Sequence, residues 1–227
     1  MTPLTPDFAG GSRPDLLAGQ HFPPPPQQER SRRKRDSLLQ AALALFAERG
    51  YEETSIEDIA HRAEVAVGGF YQHFASKRQL LLVLMDQLLQ EASVLTAQAG
   101  QLDAGTQNVQ SLIALMVRQG LQVDWSYAGA YRAWREAALQ DQELRALNEQ
   151  LERWTASLLV SLFLPLQQLP GARADVDVSV LAWELSVLFL RLAEVPLTQP
   201  QMIDAIVTSL TQLIYHGLFT DGERPPS

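Results

Sequence analysis

The chain has 227 residues, 46% of them hydrophobic, enough to build a substantial core in one large domain or in a small domain joined to a medium one. It contains no cysteine, which excludes disulfides, thiolate metal sites and a Cys nucleophile, and fits a reducing cytoplasm. The net charge of −8 is unevenly spread: residues 30–80 carry nine basic and seven acidic side chains, residues 81–227 eight and sixteen. Five of those nine basic residues, Arg30, Arg32, Arg33, Lys34 and Arg35, make one basic patch on an acidic body, where attraction for phosphate is focused.

Residues 1–29 are rich in Pro, Gly, Ser and Gln, and include the run Pro23 to Pro26. Such a composition cannot offset the entropy of ordering, so a disordered tail with polyproline II character is expected there. No secretory signal is expected at the start, and no uninterrupted apolar run approaches the roughly 18 residues of a membrane span.

Leu39, Ala42, Leu43 and Phe46 fall at helical spacing, and Gly50 is suited to end that helix. Thr54-Ser55-Ile56-Glu57 reads as a capping box opening a short helix with Ile56, Ile59, Ala60 and Ala63 on one face. A tight turn, Glu64-Val65-Ala66, leads to a second short segment, Val67 to Phe74. Ser76 to Gln79 is a second capping box, launching a long helix through Leu80, Leu84, Leu88 and Leu95. After a break at Gly100 to Gly105, helices are expected near 106–122, 126–139, 141–164, 175–193 and 199–219, separated by breakers such as Pro170-Gly171. No strand pattern or internal repeat competes. The expected fold class is all-α, with about nine helices.

Two short helices across a tight turn, braced by a preceding helix, describe a helix-turn-helix. The runs 38–51, 54–60 and 65–74, followed by Ser76-Lys77, resemble the amino-terminal domain of the TetR family of transcriptional regulators. Phe70-Tyr71-Gln72-His73-Phe74 is similar to the family's recognition-helix end. The resemblance covers about fifty residues, 33–82, in order and spacing. It implies a three-helix DNA-binding domain over 30–80 and a helical effector-binding and dimerisation domain over 81–222. It also implies a homodimeric repressor, not an enzyme, with double-stranded DNA bearing a palindromic operator as partner and no cofactor.

Major-groove reading needs exposed side chains on the second helix, where Val67, Gly69, Tyr71, Gln72 and His73 stand. Thr54 and Ser55, at a helix start, suit a phosphate. Lys77 sits in a first helical turn, where its own helix dipole disfavours it; a phosphate partner explains the placement, as the resemblance implies. Arg32, Arg33, Lys34 and Arg35 suit the adjacent minor groove or the backbone. The sequence departs from the family pattern at the turn, where a Ser cap and Lys are common at the places of Ala66 and Val67, and Thr or Ser at that of Gly69.

In the larger domain, Tyr127, Tyr131 and Trp134 fall on one helical face with Trp125 just ahead. That face is either core or the wall of a pocket for a small apolar or aromatic effector, with Trp183 contributing and Arg118, Arg135, Glu136 and Arg191 as candidate polar anchors. Leu181, Leu185, Leu188, Leu192, Ile206, Leu210, Leu213 and Ile214 give the last two helices broad apolar faces. In TetR-like proteins such helices pair with their twofold mates, so these residues are the expected dimer interface. They serve equally well to close the monomer core. The alternative to an effector-released repressor is a DNA-binding regulator without a small-molecule ligand, constitutive or controlled by a protein partner. An all-helical enzyme is a third class, for which the sequence offers no metal spacing, nucleophile elbow or phosphate-cradling loop.

Overall fold

The apolar 3.6-residue repeats are realised as helices throughout a computed structural model that describes residues 11–23, 28–99 and 108–220. The helices are α1 (Glu29–Arg49), α2 (Ile56–Arg62), α3 (Val67–Tyr71), α4 (Lys77–Ala99), α5 (Val109–Ser126), α6 (Ala128–Gln140), α7 (Gln142–Gln167), α8 (Val178–Leu192), the single turn α9 (Val195–Thr198) and α10 (Ile203–Leu218). Among the described residues the only β pairing is one isolated bridge between Ala172 and Phe219. The all-α expectation holds, with nine helices of at least five residues among the described residues. The break at Gly100 to Gly105, the Thr106 start and the prolines at 24–26 lie outside the described residues.

Two compact units form. One comprises Pro14–Gln90 and Trp125–Asn148; the other Met1–Arg13, Glu91–Asp124 and Glu149–Ser227. The expected boundary at residue 80 falls inside α4.

The core of the first unit is built from Leu38, Leu39, Leu45 and Phe46 of α1, Ile59 of α2, Phe70 of α3, Phe74, and the run Leu80 to Leu84 of α4, all 4% exposed or less. By length and composition α4 is apolar enough to cross a membrane. Its first half instead fills this core, with Leu80, Leu81, Leu82 and Met85 fully buried. In the second unit, Leu112, Ile113, Val117 and Leu121 of α5, Leu151, Trp154 and Phe163 of α7, Leu185 of α8, and Leu210 and Ile214 of α10 make the core.

The turn between α2 and α3 closes as a Schellman motif. Val65 N–H donates to Ala60 O at 2.9 Å and Glu64 N–H to His61 O at 3.1 Å. This geometry places Glu64 at φ +56°, the one non-glycine residue with positive φ among those described. The left-handed conformation costs an L-residue about 1–2 kcal/mol. Glycine there adds about 0.5–1 kcal/mol of unfolded-state entropy. Glu64→Gly is therefore expected to raise stability by roughly 0.5–1 kcal/mol, read as a melting temperature about 1–4 °C higher. A lower melting temperature would show that the Glu64 side chain contributes more than its backbone costs.

The amino-terminal residues 11–23 differ from the expected disordered tail. Residues 16–19 form a turn, with Gln20 N–H on Leu17 O at 3.1 Å, Leu17 N–H on Asp15 Oδ1 at 3.1 Å and Gly19 at φ +70°. Leu16 is 2% exposed. A buried leucine, a local turn and the bond from Gln79 Nε2 to His21 O at 2.9 Å hold a segment whose average composition argues otherwise.

Candidate nucleic-acid interface

The site is built on α3 and what holds it. Ala66 opens α3 without a side-chain cap, leaving its first turn to the backbone bonds from Gly69 and Phe70 N–H to Ala66 O. Phe70 and Phe74 point inward and touch at 5.7 Å between ring centroids. The opposite edge presents Val67, 38% exposed, Gly68, Tyr71, 50% exposed, and Gln72 to solvent. Gly68 has open space where a side chain would be, so backbone is accessible there. A Cβ on Gly69 would collide with Val65 Cγ1 at 2.6 Å, which accounts for glycine where the resemblance leads one to expect Thr or Ser.

The residues expected to contact DNA divide into two groups. Val67, Tyr71, Gln72 and Ser55 are exposed, Gly69 is half-buried, and Arg32, Arg33 and Lys34 are exposed on the first turns of α1. Arg33 pairs with Glu29 at 3.1 Å, both largely exposed, so that bond contributes little. The basic run is thus helical from its start, not an extended arm.

Four of the expected contacts are buried or engaged within the head itself. Thr54 is fully buried and donates its hydroxyl to Gly50 O at 2.7 Å. The cap of α2 is Ser55, one residue later. Its Oγ accepts from Asp58 N–H at 3.0 Å, while Asp58 Oδ2 accepts from Ser55 N–H at 3.2 Å. Both Thr54–Glu57 and Ser55–Asp58 satisfy the capping pattern; the pull of Gly50 O on Thr54 decides between them. His73 is 6% exposed, and burial first, then Arg35 and Lys34, hold its imidazole below the usual range. Arg35 is half-buried, its guanidinium 5.2 Å over the Phe74 ring. Lys77 turns inward: its Nζ donates to Tyr51 O at 2.6 Å and Thr54 O at 2.8 Å and lies 4.1 Å over the Tyr51 ring. Burial pushes the Tyr51 phenol up to about 12. Lys77 closes the loop between α1 and α2, an arrangement that gives its ammonium partners despite its awkward place in the first turn of α4.

α6 belongs to the same unit and caps the end of α1. Arg132 Nη1 donates to Ala47 O at 2.9 Å, and the Glu136 carboxylate accepts Tyr51 N–H at 2.5 Å. A cation at a helix carboxyl end suits the dipole. Arg132 Nε and Glu136 Oε1 are also paired, at 3.2 Å. Gly50, at φ +88°, leaves room for the Glu136 carboxylate, which any Cβ would strike. Gly129 lies directly against the backbone of Leu43 and Ala47. At the start of α4, Arg78 Nε donates to Asp141 at 2.6 Å and Nη2 to Glu143 at 2.7 Å, while Asp141 accepts Glu143 and Leu144 N–H to open α7. Arg78, Arg132 and the cap role of Glu136 have no local signature in the sequence, because each is a pairing across 63 residues or more.

The effector face expected on α6 is core. Tyr127, Tyr131 and Trp134 are 9%, 7% and 1% exposed, and Trp134 Nε1 donates to Asn148 at 3.0 Å. Trp125 is half-buried, Arg135 exposed, and Trp183 lies on the outer face of α8, 45% exposed. Arg118, in the other unit, pairs loosely with Asp204 at 3.4 Å. The expected ligand set is therefore not brought together within either unit. The second unit holds an open groove of about 460 Å³ between α5 and α10, lined by Ser111, Leu115, Arg118, Thr208 and Gln212 among others.

The expected dimer residues are also divided. Leu185, Leu210 and Ile214 are core at 4% exposure or less; Leu181, Leu188, Leu192 and Ile206 are half-buried; Leu213 is 54% exposed. The outward apolar residues of α8 are Val180, Trp183 and Val187.

Two short helices across a Schellman turn, braced by α1 and α4, define a helix-turn-helix DNA-binding head. Residues 38–84 match the family described as bacterial regulatory proteins, tetR family. A stretch of 51 residues is 49% identical to the HTH-type transcriptional regulator TcmR of Streptomyces glaucescens, covering 22% of this chain and 23% of that protein. Another, of 48 residues, is 46% identical to the HTH-type transcriptional repressor KstR2 of Mycolicibacterium smegmatis, covering 21% and 23%. The match spans less than a quarter of the length of these relatives. Over the whole fold, the fatty acid degradation regulator FadR of Bacillus halodurans superposes with a TM-score of 0.63 at 20% identity, covering 80% of this chain and 94% of that one. NalD of Pseudomonas aeruginosa, the secondary repressor of the MexAB-OprM multidrug efflux pump, gives 0.59 at 23% identity, covering 86% and 100%. The amino-terminal head is a TetR-family DNA-binding domain.

Proposed function

We propose that this chain is a sequence-specific, homodimeric DNA-binding regulator that represses transcription from a palindromic operator. One observation carries the reading: on a TetR-family head, α3 turns Val67, Tyr71 and Gln72 outward while Phe70 and Phe74 anchor it from behind. Gln72 offers an amide that pairs bidentately with adenine, and Val67 an apolar contact for a thymine methyl. Arg32, Arg33 and Lys34 supply phosphate contacts. The outward residues Val180, Trp183, Val187 and Leu213 of α8 and α10 support a twofold interface, which sets two heads about 34 Å or a multiple apart along the duplex.

Release by a small effector is the remaining part of the proposal. The α5–α10 groove supports it, since its volume falls in the range of small-molecule sites. Its lining, with Arg118, Ser111, Thr208 and Gln212, suits a polar molecule better than the aromatic one expected from α6.

Selecting binding sites from a random-sequence duplex library tests the reading. Enrichment of a palindrome, with affinity falling steeply as salt rises, is the expected result. Tyr71→Ala with Gln72→Ala is expected to lower affinity for that duplex by roughly tenfold or more while melting temperature stays unchanged. Failure to enrich any sequence, or a salt-independent affinity, would overturn it.

A further inference from the structure

Gln79 is 3% exposed, yet it carries a polar amide with both ends in use. Its Oε1 accepts Ala75 N–H at 2.7 Å, and its Nε2 donates to His21 O at 2.9 Å. Only one orientation of the amide satisfies both partners, so the two bonds stand or fall together. Ala75 lies in the turn that joins α3 to α4, directly after the anchoring Phe74, and Ser76 Oγ caps the same turn by accepting Gln79 N–H at 3.1 Å. The backbone of residue 21 is therefore joined, through one buried side chain, to the turn that fixes the carboxyl end of the reading helix.

The other end of this segment is also secured. Leu16 is 2% exposed, and Asp15 to Gln20 fold into a turn held by Leu17 N–H on Asp15 Oδ1 and Gln20 N–H on Leu17 O. Residues 14–23 contain no Lys or Arg, so the segment has nothing with which to grip phosphate itself. A buried anchor, a local turn and a carbonyl directed at a buried amide describe a strap.

We infer that residues 14–22 form a positioning strap that docks on the amino-terminal end of α4 through Gln79, with the buried Leu16 as its anchor, and holds the α3–α4 turn of the reading head in its DNA-binding geometry. The functional half of this inference rests on the proposed DNA-binding role; the docking half does not. Without His21 O, Nε2 of Gln79 is left buried with no acceptor, and the bond to Ala75 is lost as the amide seeks another partner.

Leu16→Ala loosens the anchor. Gln79→Glu sets a carboxylate against His21 O; the charged side chain turns away from both His21 O and Ala75 N–H toward water, undocking the strap by a different route. Both variants and their combination are compared with the full-length wild type by amide hydrogen exchange at Ala75 and by affinity for the duplex selected from the random library. Each single variant is expected to exchange Ala75 faster and to bind roughly tenfold more weakly, the equivalent of one buried hydrogen bond. The double variant is expected to lose no more than the worse single, because both break one linkage. The salt slope of binding is expected to stay at the wild-type value, since no phosphate contact is removed.

Unchanged Ala75 exchange in Leu16→Ala and Gln79→Glu would overturn the strap, whatever the DNA result. Additive affinity losses, or a reduced salt slope, would overturn positioning in favour of a general stability effect or a direct DNA contact. Faster Ala75 exchange in the variants, with a wild type that selects no duplex, would leave the docked segment standing and overturn its role in DNA binding together with the regulator reading.

Discussion

Gly129→Ala is expected to destabilise the unit containing the reading head by about 2–4 kcal/mol, although alanine is the better helix former. In an open helical position the same change gains about 1 kcal/mol, because glycine carries the larger entropy cost. At Gly129 the new methyl would meet Leu43 O, a backbone atom with no rotamer to yield, along with Ala47 N at 2.9 Å and Ala47 Cβ at 3.1 Å. α6 must then move away from α1. That motion strains the bonds from Arg132 to Ala47 O and from Tyr51 N–H to Glu136, and opens space beside Tyr131 and Trp134. Gly120 is the internal control: it lies within α5 with nothing near its absent side chain. Gly120→Ala is expected to raise the melting temperature slightly and Gly129→Ala to lower it by roughly 4–16 °C. A Gly129→Ala protein that melts at or above wild type would mean that the close approach of α6 to α1 is not a feature of the protein in solution.

That packing also shows which parts of the molecule are legible from sequence. Helix positions, the glycine end of α1 and the inward faces of Phe70 and Phe74 follow from neighbours within a few residues, where period and turn chemistry act. The α6 aromatic stripe was legible as a buried face. Its partner was not, since a helical period specifies that a face is covered without specifying by what. A stripe expected to line a pocket is packed as core in the unit that holds the reading head. The same limit explains His73 and Thr54. Motif position places both at the DNA edge, but Thr54 is drawn to Gly50 O and His73 is buried. The dimer residues were mixed for a related reason. Broad apolar faces on α8 and α10 are shared between two surfaces, and only packing assigns Leu185 and Ile214 inward and Trp183 and Leu213 outward. In the amino-terminal segment a composition average concealed Leu16, whose burial is a property of one residue.

Lys77 separates a structural cation from a phosphate ligand by experiment. Lys77→Met preserves the length and much of the apolar stem while removing the charge and all three donors. Two carbonyls, Tyr51 O and Thr54 O, then lose the donor at 2.6 and 2.8 Å, and the Tyr51 ring loses the cation 4.1 Å above it. Hydrogen bonds from a charged donor contribute about 1.5–3 kcal/mol, a value reduced here because Lys77 is only half-buried and water reaches part of the site. A loss of about 2–3 kcal/mol is expected, seen as a melting temperature lower by roughly 4–12 °C. Burial holds the Lys77 ammonium below its ordinary range, opposed by Glu52 and Glu136. Replacing it with Met therefore removes a charge that the fold already partly disfavours, which keeps the loss at the lower end. The salt slope decides the role. A lysine on phosphate lowers that slope by about 1 when removed and leaves stability unchanged; a lysine closing the α1–α2 loop lowers stability and leaves the slope unchanged. Unfolding curves and two-salt binding curves on the same Lys77→Met protein discriminate the two. A reduced slope at an unchanged melting temperature would return Lys77 to the DNA.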